Sequence, residues 1–494
     1  LVTEGLYYFL SRPRRFGKSL LVSTLRCLFE GQRELFEGLW LTQHGDWDWQ
    51  PHPVVHLDFN EISHDTPERF ALDLQRTLLN IAQSYQLELV EPLLKGQFKE
   101  LLLKLQQSTG QPVVVLIDEY DKPVIDHLGQ GEARLQIAEA NRAIQKQFFG
   151  VLKGGTVMDV LRMVFITGIS RFSWVSIFSE LNNLIDLTMH ARYATLLGYT
   201  HEELARDFAP HLERFADSLD ISLTALTTHF ADYYNGYRFS KKAVTVYNPF
   251  STLRALDEQD FGQYWFETGT PTFLINLLWE KEFPLPQIET LQSTENVFAS
   301  YDIRQLSPEA LLFQTGYVTI KYVQGRLYTF GYPNLEVKNA FLEMLLHAWL
   351  GRSREPSDAR FLLLAQYLQE EDFASFFETV KAIFASIPYD IQTKRDEAYY
   401  HTLFYLMVSA SGTWARSSPL TCRGRIDMVV ELPDKVYIMD FKCDQSAGAA
   451  LQQIREKGYA DPYRQSGKRV ILMGINFSTE DRNLAEWRVA EDEI

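Results

Sequence analysis

Cysteine is scarce: the 494-residue chain has three, Cys27, Cys422 and Cys443. None stands in a CxxC or other zinc-like spacing, which argues against a disulfide framework and against a structural zinc site. No apolar run approaches the ~18 residues that suggest a membrane span, and no succession of charged, apolar and small residues marks a signal peptide. Internal repeats and low-complexity tracts are missing too. Together these absences predict a soluble, cytoplasmic protein with no membrane partner. Positive charge is also in short supply. A net charge of −16 argues against a protein that coats nucleic acid along its whole surface, because such binding draws on clustered Lys and Arg. The exception is Ile391 to Val470, with 12 Lys and Arg against 9 Asp and Glu. Any nucleic acid is therefore expected at the C-terminal part.

What remains is ordinary globular composition, 46% hydrophobic and 23% charged, over a length that implies two or three domains. Short apolar runs at Tyr7 to Leu10, Val54 to Phe59, Val113 to Ile117 and Met163 to Thr167 alternate with helical spacing at Ser19 to Phe29, Glu68 to Tyr85 and Ala133 to Leu152. That alternation predicts an α/β domain with a parallel sheet over residues 1–200. A helical, aromatic-rich stretch follows from His201 to Trp265, its aromatics read as packing, with Tyr247-Asn248-Pro249-Phe250 near its end. The helix Ser307 to Thr315 and a hairpin around Gln324-Gly325 fit a winged-helix module, so residues 201–350 are expected to form a helical lid and winged-helix region. Val337 to Leu350 and Arg360 to Ile387 read as helices on either side of a polar break with Gly351, Ser353, Pro356 and Ser357, which is the expected boundary of a third domain, 351–494.

The segment Ser11-Arg12-Pro13-Arg14-Arg15-Phe16-Gly17-Lys18-Ser19 stands between a strand and an amphipathic helix, the setting of a phosphate-binding loop. Backbone N–H groups at the helix start cradle phosphates there, with Lys18 reaching the β and γ phosphates and Ser19 ligating magnesium. The first glycine of GxxxxGK[ST] is replaced by Arg12. Val113 to Ile117 then runs into Asp118-Glu119, a buried strand ending in two carboxylates: Asp118 to hold magnesium, Glu119 to orient or deprotonate water. The strand Met163 to Thr167 leads into Gly168-Ile169-Ser170-Arg171, a loop expected near the γ phosphate because ligands sit beyond the carboxyl ends of strands. Ser170 or Arg171 would sense it, although Arg171 fits a loop tether equally well. Arg12, Arg14 and Arg15 would add positive charge around the nucleotide or contact a partner.

Near the C-terminus, Gly424 to Glu431 and Val436 to Lys442 read as two strands joined by a turn at Leu432 to Lys435. Asp440 and Lys442, two apart, share a face, and a suitable register brings Asp427 to them. Two carboxylates and a lysine can bind magnesium or manganese at Asp427 and Asp440 and activate water against a phosphodiester, with Lys442 steadying the charge that develops. Glu397, in the helix Asp396 to Val408, would supply a further carboxylate, and Gln453, in the helix Ala449 to Lys457, would orient Lys442 or the phosphate. A salt-bridged hairpin on a solvated sheet is the bland alternative.

The stretches Phe9 to Ser19, Leu116-Ile117-Asp118-Glu119-Tyr120-Asp121-Lys122-Pro123 and Thr167 to Ser173, with Gly424-Arg425-Ile426-Asp427, Asp440-Phe441-Lys442 and Gln453 to Tyr459, resemble a bacterial family of AAA-ATPase-like proteins. Its members carry a C-terminal PD-(D/E)xK nuclease domain of restriction-endonuclease-like α/β fold. In that family the arginine-rich loop, including Arg12, is a regular feature. Members usually have a further segment before the first strand, so a truncated start is expected here. The resemblance implies ATP with Mg2+ at the first site, Mg2+ or Mn2+ at the second, and an ATP-controlled nuclease acting on nucleic acid, DNA above all. The competing expectation is a nucleotide-dependent switch or scaffold that binds nucleic acid without cutting it. A DNA motor would further call for a homo-oligomeric ring.

Overall fold

Four apolar runs of the first 170 residues, with one short strand after them, become a single parallel sheet. The computed structural model describes residues 2, 5–170, 184–266, 272–281, 283–295, 304, 307–350, 359–387, 396–413, 415–417, 420–421 and 424–492. Arg171 and the polar break at 351–357 lie outside them. The strands are β1 (Tyr7–Ser11), β2 (Val54–Asp58), β3 (Val113–Asp118), β4 (Leu161–Gly168) and β5 (Ile185–Asp186), in the order β2-β3-β4-β1-β5. Every pairing is parallel. Helices cover both faces, which is why the strands read as unbroken apolar runs rather than alternating ones.

One face meets the helix Lys18–Phe29, whose Val22, Leu25 and Phe29 pack with Tyr8, Leu10, Val114, Leu116 and Phe165. The other meets the helices Pro67–Ser84, Leu94–Thr109 and Glu132–Phe149 through Phe70, Leu74, Leu78, Phe98, Leu101 and Phe148, against Phe9, Leu57, Val115 and Ile117. Each fully buried side chain of this size contributes about 1.5–3 kcal/mol. The start of Pro67–Ser84 is fixed by Thr66, whose side chain accepts from the Arg69 N–H at 3.3 Å, and by proline at the first position. Because β4 lies between β1 and β3, the turns after all three strands come together at the carboxyl edge.

After the sheet, the helices Ala209–Ser218, Leu223–Tyr234 and Pro249–Glu258 close around Leu212, Phe215, Leu226, Phe230, Tyr234 and Tyr247. These aromatics are core, as their helical spacing predicted. The helix Pro308–Thr315 leads into an antiparallel sheet of β6 (Gln292–Thr294), β7 (Thr319–Gln324) and β8 (Leu327–Gly331), ordered β6-β8-β7.

The chain divides into two compact units, residues 1–281 with 292–334, and residues 282–291 with 335–494. The second is built on a mixed sheet ordered β15-β14-β13-β12-β9, from β9 (Ala415–Ser417), β12 (Met428–Glu431), β13 (Lys435–Cys443), β14 (Arg469–Ser478) and β15 (Asn483–Glu491). β13 and β14 are parallel, joined by the crossover helix Ala447–Glu456. The stretch expected as one strand from Gly424 to Glu431 is two: β11 (Gly424–Arg425) pairs with β10 (Leu420–Thr421), and β12 pairs with β13. At the break the Asp427 carboxylate takes the Phe441 N–H at 2.8 Å, so a side chain stands where a ladder carbonyl would. The helical reading from Arg360 to Ile387 also divides, into Leu363–Glu370 and Phe373–Ala385, at the left-handed residue Glu371. Lys435 and Arg469 hold the Glu371 carboxylate there, and Asp372 caps the second helix. Among the described residues, no helix is long and apolar enough to cross a membrane.

Candidate functional sites

At the carboxyl edge of the parallel sheet lies a cavity of about 610 Å³. Gly17 starts its floor. With φ at 82° it turns the chain left-handed into the helix Lys18–Phe29, and a Cβ there would meet nothing within 4 Å, so conformation rather than space calls for glycine. Lys18 is 5% exposed, and its Nζ sits 3.4 Å from both the Pro13 carbonyl and Glu119 Oε1. The Ser19 hydroxyl hydrogen-bonds the Asp118 carboxylate, which burial pushes up to about 6 against that bond. The two halves of the expected magnesium site are thus already in contact.

Of the arginine-rich loop, Arg14 and Arg15 line the cavity. Arg15 donates to the Tyr264 carbonyl at 2.7 Å and lies 3.9 Å over the Phe250 ring. Arg12 does not line it. Its guanidinium is buried, bonded to the carbonyls of Ser11, Thr188, Tyr193 and Leu196 at 2.9–3.2 Å, and stacked 4.1 Å from the Phe239 ring. Pro13 packs so tightly on Gly316 that a Cβ on that glycine would come within 2.6 Å of it. Phe16 is fully buried, edge-on to Tyr237 and Phe239. These three side chains fix the loop's path from behind.

Ser170 is likewise buried behind the wall. Both its N–H and its hydroxyl go to Asp121 at 2.6 Å, and its carbonyl accepts from the Tyr120 hydroxyl. Asp121 is fully buried at this joint, and burial pushes it up to about 6, with Glu119 adding to the shift. Gly168 makes the approach possible, since a Cβ there would lie 2.4 Å from Asp121 Oδ1.

In the second unit, Asp440 is fully buried on β13. Lys442 Nζ donates to its Oδ2 at 2.7 Å and Gln453 Nε2 to its Oδ1 at 2.9 Å. The pairing Met428 with Met439 places Asp427 opposite Asp440 one step on, and the two carboxyl groups share a hydrogen bond. Burial and then Asp427 push Asp440 up to about 7, with Lys442 opposing. The crossover helix reaches this face because Gly474, the β14 neighbour of Asp440, has no side chain; a Cβ would stand 2.1 Å from the Ala447 carbonyl. Glu397 begins the helix Glu397–Ala410 and is exposed, its carboxyl raised by partial desolvation with Lys442 opposing. It does not complete a tight triad: among the described residues, no three His, Cys, Asp or Glu side chains gather closely enough to hold a metal ion.

Residues 1–178 match the family described as predicted AAA-ATPase, and residues 395–487 match the PD-(D/E)XK nuclease superfamily. An uncharacterized protein in the vnfD 5′ region of Azotobacter chroococcum mcd 1 is 38% identical over 506 aligned positions, covering 98% of this chain and 92% of that one. The chain belongs to the AAA-ATPase-like proteins with a C-terminal PD-(D/E)XK domain. In this AAA-ATPase-like protein the matched regions contain both sites, Lys18, Ser19, Asp118 and Glu119 in the first and Asp427, Asp440 and Lys442 in the second.

Some neighbours of these sites carried no assigned role in the sequence. Asp121 was visible only as one letter of a motif. Tyr459 is buried beside the nuclease-like cluster, its hydroxyl hydrogen-bonded to Gln453 and raised by burial and by Asp440. His401 Nε2 bonds the Asp427 carbonyl at 2.9 Å and follows Glu397 by one helical turn, a spacing that could have flagged it. The abutting Asp427 and Asp440 carboxyls fit a divalent cation, because a proton now bridges two acidic groups whose shared partner would otherwise be a metal.

Proposed function

We propose that the chain is a nucleotide-controlled, divalent-metal-dependent nuclease of the cytoplasm that cuts phosphodiester bonds in DNA. The observation that carries this reading is Asp440, a fully buried carboxylate whose oxygens meet Lys442, Gln453 and Asp427. A surface salt bridge would not take a carboxylate out of water, which costs several kcal/mol without a compensating partner. Asp427 and Asp440 would hold the cation, which when bound lowers the pKa of an attacking water and offsets charge on the phosphate. Lys442, fixed between Asp440 and the Phe441 carbonyl at 2.9 Å, would hold that water or donate to the phosphate oxygen. Gln453 keeps Asp440 oriented, and Glu397 lies at the mouth as a further acceptor.

In the first unit, Gly17 and Lys18 would grip the β and γ phosphates of ATP, Ser19 and Asp118 would hold Mg2+, and Glu119 would move from Lys18 to an attacking water. Domain limits of 1–200, 201–350 and 351–494 remain the working division. The test is Asp440→Ala. It is expected to abolish Mg2+- or Mn2+-dependent DNA cleavage while ATP binding stays at the wild-type level, and cleavage at the wild-type rate would overturn the assignment. A non-cleaving, nucleic-acid-binding switch is the second reading, favoured by the exposed position of Glu397. Titrating Mg2+ and Mn2+ in the same assay separates the two.

A further inference from the structure

The phosphate-binding loop occupies only part of its cavity. Phosphate-side residues come from the loop and from the turn after β3: Gly17, Lys18, Ser19, Glu119, Asp121, Lys122 and Asp126. A different element supplies the rest, the helix Pro249–Glu258, with Pro249, Phe250 and Leu253 in the wall beside Leu20. Two of these leucines are unusually bare. Leu20 is 70% exposed and Leu253 46%. Large apolar side chains left open inside a concave, otherwise polar site are the usual mark of a ligand's apolar portion.

That wall is rigid before anything binds. Asn248 is fully buried and caps the helix by accepting from the Ser251 N–H at 3.0 Å, and Pro249 takes the first position. Arg15, one step from the phosphate loop, lies 3.9 Å over Phe250 and is itself anchored on the Tyr264 carbonyl. The segment Tyr247-Asn248-Pro249-Phe250 is therefore tied to the loop that takes the phosphates.

We propose that Leu20, Phe250 and Leu253 form the nucleobase wall of the cavity, and that it takes a purine. This rests on the nucleotide reading of the loop above. An apolar wall attracts by the area it covers, so the two-ring base gains more from it than a pyrimidine does. Pre-ordering by Asn248 and Arg15 means little side-chain freedom is lost on binding.

The experiment compares magnesium complexes of ATP, CTP and inorganic triphosphate on the full chain by calorimetry, in the wild type, Leu253→Gln and Leu20→Gln. Both leucines are exposed enough for the substitutions to leave the fold intact, which circular dichroism checks. The wild type is expected to bind ATP more tightly than CTP or triphosphate. Each variant is expected to lose about tenfold in ATP affinity, the scale of one lost leucine contact, with triphosphate binding unchanged. Unchanged ATP affinity in both variants, parallel loss of ATP and triphosphate, or equal wild-type affinity for ATP and CTP would each overturn the purine wall. A wild type that binds triphosphate but gains nothing from the base removes the wall alone. One that binds none of the three removes the nucleotide reading with it.

Discussion

Replacing Arg12 by alanine separates two roles that a basic residue in a phosphate loop can play. Its side chain donates to four carbonyls, at 3.2 Å to Leu196, 2.9 Å to Ser11, 3.0 Å to Thr188 and 2.9 Å to Tyr193. Burial pushes the guanidinium down to about 9, with Asp186 opposing, so the group stays charged at neutral pH. Hydrogen bonds of this kind contribute on the order of 1 kcal/mol each, and breaking one side of a buried charged arrangement costs about 3–5 kcal/mol. Both routes put the loss at about 4 kcal/mol. Arg12→Lys is expected to recover only part of it, because a single ammonium cannot span the planar fork that reaches from Thr188 to Leu196. Urea unfolding followed by fluorescence reads the loss as a lower midpoint at unchanged slope. ATP affinity, measured well below the midpoint, is expected to hold within a few-fold. A variant that unfolds at the wild-type urea concentration yet loses ATP binding would refute the structural role and return Arg12 to the ligand.

Gly474→Ala is expected to lower stability by about 1–3 kcal/mol or more, the range for overpacking, because its methyl group would press on the Ala447 carbonyl; cleavage should fall with it as Gln453 is pushed from Asp440, and denaturant midpoints with nuclease rates check both. Asp121 gives a pH signature. Its carboxyl is held near 6 in the fold, so between pH 4 and 6 the unfolded chain gives up this proton first and the native state loses stability as pH rises. Asp121→Asn lacks that contribution, so its stability relative to the wild type should improve by up to about 3 kcal/mol from pH 4 to 7, read by unfolding at both pH values; a constant difference would show the carboxylate to be unperturbed.

The parallel sheet was legible because its strands are buried on both faces, so Val113 to Ile117 and Met163 to Thr167 stand out as apolar runs bounded by turn residues. Asp427, Asp440 and Lys442 were legible through spacing, since residue alternation along β13 fixes which side chains share a face. Other features depend on distant partners and leave no local trace. Arg12 looks like a phosphate ligand beside Arg14 and Arg15 until Thr188, Tyr193 and Leu196, some 180 positions away, claim its donors. Ser170 looks like a sensor until Asp121 takes its hydroxyl. The break of the Gly424 to Glu431 strand was hidden because a carboxylate can replace a ladder carbonyl without changing hydrophobic pattern.

The joint between Asp121 and Ser170 has a mechanical meaning. With three bonds from one carboxylate to the Ile169–Ser170 backbone and hydroxyl, and no room for even a methyl at Gly168, the segments following β3 and β4 are riveted and must travel together. Whatever Glu119 does on releasing Lys18 is handed on as displacement of a stiff lever, with no slack to absorb it.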